Sequence, residues 1–151
     1  MVKSILNQKL REEIIARVRQ LKSDSETLWG TMNVFQMVKH CRLFEAWIHG
    51  IGEWDYTISR STPTQAAEFL AAITADDTPL MQFAPSSEIL IMAISEGDFE
   101  AERNLWIEHL VRYESYNNPA FIHDFFGKMT NEQIGILAYK HCDHHLRQFG
   151  M

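Results

Sequence analysis

A chain of 151 residues with 46% hydrophobic and 23% charged residues has the composition of one globular domain, residues 1–151, with no low-complexity tract. Its formal charge of −6 offers no concentrated Lys/Arg surface for phosphates, which speaks against a nucleic-acid partner. No apolar stretch approaches the ~20 residues that span a bilayer, and the opening MVKSILNQKLREE lacks a signal peptide's apolar segment, so the expected location is the cytoplasm, away from any membrane. There Cys41 and Cys142 are expected to stay reduced and buried.

From Ser4 to Leu21, Ile5, Leu10, Ile14, Ile15, Val18 and Leu21 recur at spacings near three and four, which predicts an amphipathic helix. After the Ser-, Asp- and Gly-containing stretch SDSETLWGTM, residues 33–49 carry the same period and stop at Gly50. Thr64 to Ile73 reads as a short helix between turn signals, of which Asp76-Asp77-Thr78-Pro79 and Ala84-Pro85-Ser86-Ser87 follow it. Residues 98–115 form the next long helix, with Phe99, Leu105, Trp106 and Leu110 predicted inward. The last runs from Asn131 to about Gln148. Four long helices with few β-branched runs indicate an all-α bundle, and the 47 residues between the second and third long helices allow a long crossover.

Two of these helices start alike. Asn33 and Thr130 are N-cap residues, each with Gln three positions on, Gln36 and Gln133, the spacing of a capping box. Met32 with Met37, and Met129 with Ile134, flank the caps as hydrophobic staples. Each helix then carries the tripeptide Lys-His-Cys, at 39–41 and 140–142. His40 lies seven residues past its cap and His141 eleven past its own, so the two differ by roughly one turn and point alike.

At about 100° per residue, the apolar side of the last helix, led by Ile134, Ala138, Cys142, Leu146 and Phe149, centres roughly 90° from the Thr130 direction. His145 falls at about 60°, His141 at about 20° and His144 at about −40° on that count. The first two turn inward as an i, i+4 pair, and His144 is a boundary residue, a candidate to orient a ligand or face substrate and yet expected to tolerate substitution. Lys140 and Asp143 fall on the polar side. His40 lies at the edge of the apolar side formed by Met37, Cys41, Phe44 and Ile48.

Three imidazoles from two helices can hold one cation and leave a coordination position open, which is what separates a reactive site from a structural one. The plain alternative is that these histidines are satisfied core or rim residues. A ferritin-like di-iron site is excluded, because no Glu here has His three residues on. A Cys2His2 site is disfavoured, because adjacent helical residues diverge by about 100°.

The segments Trp29-Gly30-Thr31-Met32, Gln36-Met37 and His40-Cys41, with HDFFGKMT (123–130) and YKHCDHHLRQFG (139–150), resemble the DinB-like superfamily of metal-dependent enzymes. The likeness is closest to a branch with an HPFFG…YKHLDHHLRQFG-type ending; Asp124 stands for its Pro and Cys142 for a common Leu, and residues 51–97 match only loosely. The resemblance implies a four-helix bundle with a long crossover between helices two and three. It also implies a divalent metal on His40, His141 and His145, with zinc the default and nickel or iron open.

Gln148 points in nearly the same direction as His141 and His145 and is the candidate to orient a ligand imidazole. His123, in a loop, is open among ligand-orienting, substrate-facing and turn roles. Relatives include thiol-dependent transferases and isomerases. The expected partners are therefore a small electrophilic substrate and a low-molecular-weight thiol, or water in a hydrolase. The rival expectation is a non-enzymatic helical protein, as a homodimer or not, whose metal site is structural or vestigial.

Overall fold

The computed structural model describes residues 1–82 and 93–151, so the expected Ala84-Pro85-Ser86-Ser87 turn lies outside the described residues. Five α-helices dominate: α1 Gln8–Gln20, α2 Val34–His49, α3 Pro63–Thr74, α4 Phe99–Val111 and α5 Asn131–Gln148. The protein is mostly helical, as its composition and periodicity predict. α2 packs against α4 and α5, α1 against α4 and α5, and α3 lies on α5.

The caps explain where these helices begin. Asn33 and Gln36 exchange hydrogen bonds between side chain and backbone, and Thr130 and Gln133 do the same, so both predicted capping boxes form. Thr62 and Gln65 make a third at α3, where Pro63 supplies a preset φ in the first turn. Each box satisfies backbone N–H groups that have no partner inside a helix, and loss of the cap side chain costs about 1 kcal/mol. Gly50 ends α2 in the left-handed conformation, with φ 71°.

Three expectations need correction. α1 begins at Gln8, not Ser4, because Asn7 accepts from Leu10 N at 3.1 Å and caps the helix there; Ile5 is buried ahead of it, its N–H bonded to Gly135 O. The helix predicted through residue 115 leaves α geometry after Val111 and closes with one 3-10 turn, Arg112–Ser115. Leu105, predicted inward, is exposed: Phe99, Trp106 and Leu110 set the buried face by their spacing of seven and four, and Leu105 lies a full 100° step off it.

The segment leading into α5 holds a hairpin the periodicity did not reveal. β1 (Ile122–His123) pairs antiparallel with β2 (Gly127–Lys128), with His123 opposite Gly127. Gly127 has φ +72° and a Cβ there would meet Ile58 Cδ1 at 3.1 Å, so both backbone and packing require glycine.

One hydrophobic core joins α1, α2, α4 and α5, with Trp47, Trp106, Tyr113 and Phe121 fully buried in it. Cys41 and Cys142 are free thiols within that core, as expected. Burial pushes both thiols well above their ordinary range, Glu45 adding to it, so neither is poised as a nucleophile.

Candidate metal centre and its cavity

His40 from α2 and His141 and His145 from α5 come together, one nitrogen from each lying within 4.8 Å of the others. His40 Nε2 and His141 Nε2 are 3.0 Å apart. A tetrahedral zinc with Zn–N near 2.0–2.1 Å holds its nitrogens roughly 3.4 Å apart, so the spacing fits a single cation.

The rings are held in place by three different devices. His141 stacks on Phe44 with centroids 3.7 Å apart and planes 14° apart. His40 packs edge-on against His145, centroids 4.8 Å apart. His145 is held by a hydrogen bond, Nδ1 to Gln148 Oε1 at 2.9 Å. An amide oxygen only accepts, so Nδ1 carries the proton and Nε2 keeps its lone pair.

Gln148 is fixed in turn, its Nε2 donating to Trp29 O at 3.0 Å. Gly30 makes room for it: φ is +84°, and a Cβ would sit 2.6 Å from Gln148 Nε2. The two ends of the sequence pattern, Trp29-Gly30 and Gln148, thus meet on one imidazole of the cluster.

Burial, with the neighbouring imidazoles adding to it and, for His145, the Gln148 hydrogen bond opposing, drives His141 and His145 well below the ordinary imidazole range, so both are neutral at physiological pH. Metal binding needs that form. His141 Nδ1 is buried without a hydrogen-bond partner among the described residues, so on this ring the stacking on Phe44 supplies the orientation.

The cluster forms part of the wall of a cavity of about 500 Å³ between α2, α3 and α5. Phe69, Ile73, Leu80, Phe125 and Phe126 give it an apolar wall, and His123, His144 and Lys140 also line it.

His123 is buried on β1, and its Nδ1 accepts two backbone N–H groups, Phe125 N at 3.1 Å and Phe126 N at 3.2 Å. Asp124 Oδ1 lies 3.3 Å from the same nitrogen. With two donors aimed at Nδ1, the neutral ring must carry its proton on Nε2. Burial pushes its pKa down to about 4, Asp124 opposing and Arg60 assisting, so the neutral form prevails. His123 and His145 are therefore opposite tautomers, one fixed to give a proton and the other a lone pair.

His144, expected as a boundary residue, is buried at 7% exposure. Burial lowers its pKa, with a hydrogen bond to the backbone of Leu80 opposing. The wheel assumed one buried face on α5, and the segment containing Leu80 covers a second. Lys140 is the larger surprise. Assigned to the polar side by the same count, it is only 6% exposed. Asp143 does remain polar and pairs with Arg17 at 2.9 Å and Arg147 at 2.8 Å, apart from the hydrogen bonds of the clustered rings.

Sequence reasoning also passed over Glu45. It is fully buried and accepts hydrogen bonds from the Tyr113 hydroxyl and from Cys142 Sγ, the latter at 3.2 Å. Burial raises its pKa to about 7 against the lowering effect of those two bonds. A signal existed, since Glu45 falls at i+4 from Cys41 and i−3 from Ile48, on the apolar side of α2.

No curated protein and no solved structure matches the chain. A family model described as "Protein of unknown function (DUF1569)" matches residues 3–150, nearly the whole sequence. The chain belongs to the DUF1569 family.

Proposed function

We propose that this protein is a metal-dependent enzyme of the DinB-like kind, a four-helix bundle in which α3 belongs to the crossover, with His40, His141 and His145 as ligands of one divalent metal. The observation that carries the reading is that three imidazoles from two helices converge on the wall of a cavity and not inside closed packing. A purely structural site would be closed by a fourth protein ligand, and no fourth metal-ligating side chain joins this cluster among the described residues.

A metal held there would lower the pKa of a bound water or thiol, or polarise a carbonyl. The chain's own groups complete the chemistry. Gln148 accepts from His145 Nδ1 and so leaves the Nε2 lone pair available. His123, with its proton on Nε2, is a fixed donor for the oxygen of a small electrophile. The phenyl wall excludes water from the reacting groups and strengthens both interactions. Neutral imidazole donors suit zinc first, with nickel and iron also compatible.

The test pairs metal content with turnover. Protein purified without chelators is expected to carry about one metal per chain by mass spectrometry of the metal, and His141→Ala to carry almost none. Consumption of 1-chloro-2,4-dinitrobenzene only when a thiol is added indicates transfer. Release of nitrophenol from an activated ester without thiol indicates hydrolysis. Metal-free protein that also refuses reconstitution with zinc or nickel would overturn the reading.

A further inference from the structure

Lys140 sits on α5 one residue before a proposed ligand, and with 6% exposure it forms part of the cavity wall. Among the described residues it makes no ion pair and no hydrogen bond. Its charge reaches Asp76, an exposed carboxylate at the end of α3 that is held below the usual carboxylate range first by Thr78 and only lastly by Lys140. A cation on a cavity wall with no carboxylate in ion-pair reach among the described residues is open to pairing with a ligand's anion.

The surroundings do not offset that charge. No Asp or Glu lines the cavity among its described residues, although the chain as a whole carries −6. Arg60 also lines it, bound to Asp124 at 3.0 Å. Low-dielectric walls focus such a field on whatever enters. Apart from Lys140, Arg60, its histidines and Thr78, the wall is aromatic and aliphatic: Phe69 and Phe125 stack with centroids 4.9 Å apart, and Phe126, Ile73 and Leu80 also line it. Such a surface takes an apolar body of ring size, and 500 Å³ suits a molecule of that scale.

We propose that the cavity binds a small carboxylate with an apolar, ring-bearing body, its anionic group paired with Lys140 and its body laid against the phenyl wall. This deepens the reading of the cavity as a substrate site, but it requires no metal, so the two can fail separately.

The experiment is calorimetric titration of the metal-stripped full chain with 3-phenylpropionate, its neutral isostere 3-phenylpropanamide, and acetate. The expected result is at least tenfold tighter binding of the carboxylate than of the amide, and acetate weaker than 3-phenylpropionate by at least as much. In Lys140→Met, which keeps the stem and removes the charge, the preference for carboxylate should fall below about twofold. Lys140→Arg should keep most of it.

Equal affinity for acid and amide in the wild type, binding of neither, or a preference that survives Lys140→Met would each overturn the proposal. The comparison of acid and amide on the wild type needs no variant to fold. If the preference appears only after zinc is restored, the anion's partner is the metal and not Lys140; the proposal fails and the metal reading stands. If the chain binds no zinc yet keeps the Lys140-dependent preference, the proposal stands and the metal reading falls.

Discussion

Each Lys-His-Cys tripeptide sends its His and its Cys to different regions, and these regions treat polar atoms in opposite ways. On the core side, Cys142 donates to Glu45, Glu45 also accepts from Tyr113, and the group is sealed among α2, α4 and α5. On the cavity side, His40, His141 and His145 bring nitrogens together, Lys140 makes no ion pair among the described residues, and His123 spends Nδ1 on two backbone N–H groups, which leaves its proton on Nε2. Polar groups that satisfy one another serve the fold. Polar groups gathered in fixed orientation on a cavity wall are set out for something that arrives later.

The largest expected effect separates the two regions by mutation. His141→Ala should lower metal affinity by at least 100-fold, measured by competition with a chromophoric chelator, while urea melts of the metal-free chain change little. Cys142→Ala, one residue on, should do the reverse: it retains metal but loses about 1–3 kcal/mol, having opened a small void and removed a donor from buried Glu45. Loss of metal in the cysteine variant would erase the distinction.

Proton linkage gives the next contrast. His123 has its pKa lowered from 6.5 to about 4, so between those values the unfolded chain binds the extra proton and stability rises with pH, levelling above 6.5. Glu45 has its pKa raised from 4.5 to about 7, so there the folded chain holds the extra proton and stability falls as pH rises through that window. Glu45→Gln removes only the second slope. Its stability relative to wild type should therefore climb between pH 4.5 and 7, by roughly 3 kcal/mol, and stay level above. Urea melts at four or five pH values read this directly, and a flat difference would show that Glu45 is not shifted.

Gln148→Leu should cost 10- to 100-fold in metal affinity, since removing an outer hydrogen-bond partner leaves His145 unoriented. Gly30→Ala should lower metal affinity in the same direction by pushing against Gln148 Nε2. Isothermal titration with zinc checks both; unchanged affinity would mean that packing alone orients His145.

The positions of His40, His141 and His145 were legible because both helices are pinned by capping boxes, so a count from Asn33 and Thr130 carries direction as well as spacing. Gln148 was legible for the same reason. His123 was not, since a hairpin with two-residue strands has no period to read. Lys140 and His144 were misjudged because a helical wheel knows of one buried face, whereas α3 and the following turn cover a second. Leu105 failed more simply, as an apolar residue beside Trp106 that no neighbour covers. Leu105→Ser should accordingly change stability by no more than about 0.5 kcal/mol, the smallest effect expected, and a loss above 1 kcal/mol in a thermal melt would restore it to the core.

The most direct test is to load the chain with cobalt(II), whose visible absorption reports coordination, and add azide. Three histidines around an open position predict one cobalt per chain and a spectrum that shifts on adding azide, with both lost in His141→Ala. A chain that takes up no cobalt, or one whose bound cobalt ignores azide, would contradict an open three-histidine centre.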